Sequence, residues 1–475
     1  MSFINSYRFK PSSSCPSYLP GKYTSEQIDD FVFAQGYIPV SSLDECDKIN
    51  LGTPQIMGAN SCWAGTYTTG LEKSYIQVTP IDGTSHGVFD GVGDTTAALF
   101  NGIYDGNNKL ISNVTIQGIS QGGFFNGFGN LKMEVRNCVL DNISLSTTSG
   151  GNYAHGLFVW SCGVNSIIED IHMTNGSLTS TGGGEKLRFA GIVCAADNST
   201  IRRCSFQGVI SSTGALSSSQ YGGVLAYAAN NCTIHDLRTF DSTITGGSEI
   251  GGVIGDSANV TAGNTVYNLI CENTTVTGNS NSVGGAVGYF RRGTLSKVRV
   301  AANVTVNQTA GTFGCGGAVG TAFGASPVLS EIEARSAVNC TAGAAHTGTG
   351  GCVGVIRSAT LNDSVAYGNV AGQKQVGGLV GQRRTATLNR SFSAGVPSGI
   401  SAIGGLVGAV ISGGTVNAAY WDTTTSGLAV SQGGTGQTTV ALQTPVAPTG
   451  IYSTWNVLIW NFGTSSQYPS LINVP

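Results

Sequence analysis

The chain has 475 residues, 70 of them Gly, with 10% charged residues, a formal net charge of −3 and a pI near 6.0. Charge is far below the roughly 25% of ordinary globular chains, while a 40% hydrophobic content excludes a disordered polymer. The charge balance gives no electrostatic case for nucleic acid, and no apolar run reaches the ~20 residues that span a bilayer.

Residues 1–40 differ in composition from the rest. They hold Pro11, Pro16 and Pro20, and a short helix is expected from Ser25 to Ala34, with Ser25 as its cap and carboxylates in its first turn. So small a leader cannot build its own core and reads as an attachment segment. The opening MSFINSYRF has no apolar stretch like that of a secretory signal, so synthesis and folding in a cytoplasm are expected. Residues 41–120 read as an N-terminal cap with lead-in strands. A helix is expected over Ser41 to Asn50, capped by Ser41 or Ser42. YIQVTPIDGTS follows from Tyr75. FNGIYDGNNKLISNVTI then alternates apolar and polar residues about Asp105-Gly106-Asn107, which predicts a hairpin-like element. Turn chemistry explains that Asp-Gly-Asn better than calcium binding.

Residues 121–420 are repetitive. Gly377-Gly378-Leu379-Val380-Gly381 recurs from Gly404, Gly284, Gly316 and Gly251, with looser copies from Gly222, Gly350, Ala190, His155 and Gly122, at intervals of 27 to 35 residues. A period of that size is the signature of a repeat architecture. Each unit has room for three short strands and three corners, and Gly with β-branched residues outweighs any 3.6-residue period. The predicted fold is all-β: a right-handed parallel β-helix of about ten coils, stacked about 4.8 Å apart into a rod on the order of 50 Å long. The paired glycines are expected at a corner where backbones approach closely and where positive φ is needed. Residues 421–475 break the period. Their Trp455, Trp460, Phe462 and Tyr468 are expected to cover the exposed last coil.

Three signatures in sequence order carry a resemblance: SYIQVTPIDGTS with FNGIYDGNNKLISNVTI, the GGLVG copies, and the closing YWDTTTSGLAVSQGGTGQTTVALQ with WNVLIWNFGTSSQYPSL. Over about residues 37–475 the chain resembles the GLUG-repeat proteins of bacterial surfaces and adhesins. The resemblance implies a β-helix scaffold. That repeat also occurs beside the catalytic domain of IgA-cleaving metalloproteases, but their HExxH is absent: His86, His155, His172, His235 and His346 sit in HGVF, HGLF, HMTN, HDLR and HTGT. The opening FINSYRF looks like that of some phage tail proteins. Together these features suggest a phage tail fibre or tailspike, commonly trimeric. It would recognise a host cell-surface polysaccharide or receptor and meet other tail proteins through its N-terminal segment. A polysaccharide depolymerase on the same scaffold and a bacterial surface adhesin are the alternatives. No cofactor or membrane insertion is expected, and a non-enzymatic role is favoured.

Aligning the second strands places Asn137, Asp170, Arg203, Asp236, Asn268, Lys297, Glu331, Asp363 and Arg390 at one position, and Arg136, Glu169, Arg202 and His235 at its neighbour. The alternating signs predict an ion-pair ladder that sets coil register. Glu331 and Asp363 break the alternation, with Glu333 nearby. They are candidate catalytic carboxylates, against which Lys297 and Arg390 favour a structural pairing. Arg291, Arg292, Arg357, Arg383 and Arg384 follow the opening glycines by six to eight residues. They predict a basic strip along one corner that grips an acidic glycan by charge-assisted hydrogen bonds, or else merely solubilises the rod. Tyr153, Trp160, Tyr221 and Tyr289 are expected to stack on sugars or to pack internally. The twelve cysteines show no CxxC or zinc spacing and read as buried free thiols. No GxSxG elbow, P-loop, Rossmann fingerprint or EF-hand loop is present.

Overall fold

A computed structural model describes residues 21–52, 54–57, 65–93, 99–118, 121–127, 131–148, 153–181, 187–213, 219–258, 261–444, 450–462 and 464–475, with the Tyr153 side chain outside that description. The first half of the expected attachment segment, with Pro11, Pro16, Pro20 and Cys15, therefore lies outside the described residues, as does Cys62.

The chain forms a parallel β-solenoid of about ten turns. Three sheets run its length. Sheet I has ten strands, such as Leu187–Ala190 and Val283–Gly284; sheet II has nine, such as Val193–Ala196 and Val287–Phe290; sheet III has 23. Each coil passes from sheet I through the glycine corner to sheet II and then along sheet III. In the early coils sheet III takes one strand of 13 to 15 residues, such as Glu134–Thr147 and Asn264–Gly278. Later coils break it in two, as in Gly293–Val300 and Thr305–Gln308.

The glycine motif is a corner, not a strand of its own. Sheet I ends at the first glycine, as in Ile250–Gly251, and sheet II resumes three residues on, at Ile254–Ser257. From Gly222 onward none of the motif glycines adopts positive φ, contrary to the sequence expectation. Crowding demands them instead. A Cβ on Gly317 would lie 2.0 Å from the Gly351 carbonyl oxygen of the next coil, and one on Gly316 would lie 2.0 Å from the Val319 oxygen. Left-handed backbone belongs to the ladder residues. Asn137, Asp170, Arg203, Asp236, Asn268, Lys297, Glu331, Asp363 and Arg390 all have φ between 44° and 56°. They bend sheet III at one level in every coil. Asn and Asp tolerate that conformation best, because a short polar side chain can satisfy the local backbone.

Val287, Val319, Val353, Val380 and Val407 form one fully buried column of the core, and Leu295, Leu329, Leu361 and Leu388 another. Among the described residues, ten cysteines are free and buried. Burial pushes the thiols of Cys162, Cys194, Cys204 and Cys271 up to about 12.

Several local expectations need correction. The first helix, Ser25–Asp29, is capped by Thr24, whose hydroxyl accepts from the Gln27 amide while Gln27 reaches back to the Thr24 N–H. That reciprocal box outcompetes Ser25. The second helix, Leu43–Lys48, is capped by Ser42, and His86 Nε2 ties it to the following turn at 2.9 Å from Asp47 and 3.3 Å from Asp44. Ile103–Asp105 and Leu110–Ile116 do not form a hairpin. Both pair in parallel with Glu134–Thr147, so parallel stacking already governs this stretch. Asp105 is buried there, accepting from Arg136 Nε at 2.8 Å and the Asn107 amide at 2.9 Å, which is turn and register chemistry. Trp455, Trp460 and Phe462 do not cover the last coil's end. They pack on the flank of the final coils, against Val365, Phe392 and Tyr420. The terminal edge is closed by residues 430–437, where Gly405 N donates to Val430 O, Gln432 N donates to Val407 O, and Thr435–Gln437 pairs with Tyr420–Asp422.

Candidate functional site: an axial groove between sheets I and II

Because the glycine corner is so tight, sheets I and II meet at a sharp angle. The residue two before the first glycine then faces the residue five after it. Gln375 and Gln382 share a 2.6 Å hydrogen bond, Ser282 and Thr321 a 2.9 Å bond to the neighbouring coil, and Glu249 and Asp256 face each other likewise. Stacked coil on coil, these positions form columns parallel to the rod axis, and beside the coils of Tyr289, Phe323, Arg357 and Arg384 they border a groove on the order of 15 Å long, at one strand spacing per coil.

The groove holds a cavity of about 410 Å³ lined by Tyr289, Phe313, Phe323, Arg357, Gln382 and Arg384 among others. Arg357 lies in register between Phe323 and Arg384, and its guanidinium sits 4.2 Å from the Phe323 ring centre. Phe313 is 37% exposed, so one wall offers a solvent-facing aromatic surface. The cavity thus brings two guanidinium-bearing side chains, Arg357 and Arg384, together with the Phe323, Phe313 and Tyr289 rings.

The corner at Glu249 and Asp256 is chemically different. Arg291 stacks 3.9 Å over Tyr289 and donates to Glu249 at 2.8 Å and to Asp256 at 3.3 Å. Burial, and next the Glu249 charge, push the Asp256 carboxyl well above its ordinary value, with Arg291 opposing. The two carboxyls thus share one guanidinium at this corner. Farther along, Arg188 stacks 3.9 Å over Tyr227 and donates to Gln220 at 2.9 Å.

The predicted basic strip thus divides. Arg357 and Arg384 line the cavity together. Arg291 is committed to Glu249 and Asp256. Arg292 donates to the Thr261 carbonyl at 2.7 Å. Arg383 falls one position earlier, in the inward column of Phe290, Ala322 and Ile356, where it is 6% exposed and donates to the Ala386 carbonyl at 2.8 Å. Burial pulls its pKa down. Of the aromatics, Trp160 and Tyr221 are buried, Tyr289 lines the groove, and the Tyr153 side chain lies outside the described residues. Sequence reasoning missed Arg188, Tyr227, Glu249 and Asp256. The seven-residue spacing of Glu249 and Asp256, and of Gln220 and Tyr227, across a glycine corner was the available signal.

Predicted rungs form between Arg202 and Glu169 at 2.6 Å and between Arg203 and Asp170 at 2.7 Å, whereas Arg136 pairs with Asp105 at 2.8 Å instead of with Glu169. Glu331 and Asp363 lie in register on adjacent coils. Asp363 is 2% exposed and accepts from Arg390 at 2.7 and 2.8 Å and from Trp460 Nε1 at 3.0 Å. Sealed under the C-terminal segment, it serves as a structural acceptor. Glu333 pairs with Arg335 at 2.7 Å.

No family model and no curated protein matches the chain. A solved structure from Bacteroides ovatus, of a candidate immunoglobulin A1 protease, is similar at 14% identity over 96% of this chain and 95% of that one, with a TM-score of 0.32. A likeness that loose carries no argument about this chain.

Proposed function

We propose that this chain is a surface-recognition rod of the phage tail fibre or tailspike type, related to GLUG-repeat adhesins, whose axial groove binds an acidic host glycan. The observation that carries this reading is the pairing of Arg357 and Arg384 with Phe323 and Tyr289 in one cavity of about 410 Å³. An extended groove suits a linear polymer, aromatic faces suit sugar rings, and arginines suit carboxylate or phosphate substituents. On this reading the N-terminal segment joins the rod to other tail proteins, the assembled form is a homotrimer, and the protein resides in the virion. A bacterial surface adhesin would use the same groove.

A depolymerase is the second reading, favoured by one observation: Glu249 and Asp256 both bond Arg291 at one glycine corner, where burial and then the Glu249 charge push the Asp256 carboxyl well above its ordinary value. A general acid needs such tuning. Asp256 is nevertheless 1% exposed, which keeps a polymer from its carboxyl, so binding is the first reading.

The test is a glycan panel with purified protein. Uronate- or phosphate-bearing polymers should bind and neutral ones should not. The R357S/R384S double variant should lose about 10- to 100-fold in affinity, as expected for two charge-assisted contacts. Arg238→Ser, on the sheet III face, should bind like the parent. Equal binding of neutral polymers, or an unaffected double variant, would refute the reading. Release of reducing ends, abolished by Glu249→Gln, would instead establish the depolymerase.

A further inference from the structure

Three successive coils build the walls of the cavity, one residue per coil on each side. The sheet I wall carries Phe313, Thr347 and Lys374 in register, and the sheet II wall carries Phe323, Arg357 and Arg384 in register. The two wall residues of a coil stand ten positions apart across the glycine corner: Phe313 and Phe323, then Thr347 and Arg357, then Lys374 and Arg384. Equivalent residues of a parallel stack face the same way, which puts Lys374 on the wall already lined by Phe313 and Thr347. Lys374 and Arg384 are exposed, and Arg357 is half-buried.

Charge sets this stretch apart from the rest of the rod. Arg202, Arg203, Arg238, Arg335 and Arg390 each pair with a carboxylate, whereas among the described residues Arg357, Arg384 and Lys374 have no such partner. Arg357 and Arg384 are stacked one strand spacing apart, about 4.8 Å, where like charges repel. A ligand whose anions follow the same spacing removes that repulsion. The unneutralised stretch is two coils long. Beyond Phe323, Arg291 is already held by Glu249 and Asp256. Beyond the other end, the positions of Lys374 and Arg384 pass to Ser401 and Ser412.

Given that this groove binds an acidic glycan, we propose that it selects a polymer with acidic groups on adjacent sugars and holds it in one register. One ring lies against Phe313, and two contiguous acidic rings lie over the coil of Arg357 and the coil of Lys374 and Arg384. An extended polysaccharide advances by about one strand spacing per ring, so consecutive carboxylates meet consecutive coils. The second carboxylate finds a cation on either wall, Lys374 on sheet I or Arg384 on sheet II. A polymer with acids on alternate rings leaves one of the two cationic coils uncompensated.

The experiment compares two probes on the full chain at low ionic strength, where charge contacts are least screened. A galacturonate dodecamer has a carboxylate on every ring, and a hyaluronan dodecamer has one on every second ring. The galacturonate should bind at least ~10-fold more tightly, as expected for one further charge-assisted contact. Lys374→Ser and Arg384→Ser should each cost the galacturonate about 10-fold and the hyaluronan less than about 3-fold, bringing the two affinities together. Equal or weaker binding of the galacturonate, neither probe bound included, would overturn the proposal. If the uronate and phosphate panel still binds through Arg357 and Arg384 in that event, the groove remains an acidic-glycan site; if it does not, both readings fall. The parent chain's two affinities decide the case even where a variant fails to fold.

Discussion

At Gly317 a methyl group would collide with the Gly351 carbonyl of the next coil, while at Lys297 the backbone is held at φ 56°, a conformation that a branched or long side chain resists. The two positions invert the usual expectation that glycine marks left-handed backbone. The consequence is a pair of opposite substitutions. Gly317→Ala forces two coils apart at their closest contact and should cost about 3 kcal/mol, the upper range for overpacking a tight core. Lys297→Asn puts a residue tolerant of left-handed φ into a bend that demands it, and should gain about 0.5–1 kcal/mol. Denaturant unfolding of the two variants checks both signs.

The elements follow from these local rules. Long sheet III strands exist because a left-handed residue bends the chain without breaking the parallel ladder, and the later coils split where that continuity is lost. The end of the rod depends on Asp422. Its carboxylate caps the helix Thr423–Ser426 through the Thr424 and Thr425 amides at 2.8 and 2.9 Å, and accepts from Thr439 at 2.7 Å and from Tyr468. Burial pulls this carboxyl upward, but the bonds from Tyr468, Thr439 and Thr425 outweigh it and hold it below its ordinary value. A lowered folded pKa gives stability that is full above the unfolded value and is lost as pH falls through the folded one. Asp422→Asn should therefore cost about 1–2 kcal/mol near pH 7, a capping-scale loss, with the difference from the parent shrinking below about pH 4. Thermal melts at pH 7 and pH 3 measure it.

The rod itself was legible in the sequence, because a period of 27 to 35 residues around GGxVG leaves few other ways to bury so many Val, Ile and Leu. The ladder was legible too, since equivalent positions in a parallel stack lie over one another. The groove was only half legible. Arg357 and Arg384 announce themselves as charges after the corner, but whether a neighbouring arginine points outward depends on a one-residue shift, and Arg383 falls on the inward side. Glu249 and Asp256 were hidden for another reason. They are seven residues apart and look unrelated until the glycine corner folds them face to face. The same corner that stacks the coils thus builds the proposed binding surface.

The direct measurement of that central claim is amide hydrogen exchange on the protein with and without an acidic oligosaccharide. A ligand seated in the groove should slow exchange in residues 312–323, 345–357 and 382–384 together, leaving the sheet III bend around Arg203 and Asp236 unchanged. Protection confined to sheet III, or to the C-terminal segment, would contradict the account.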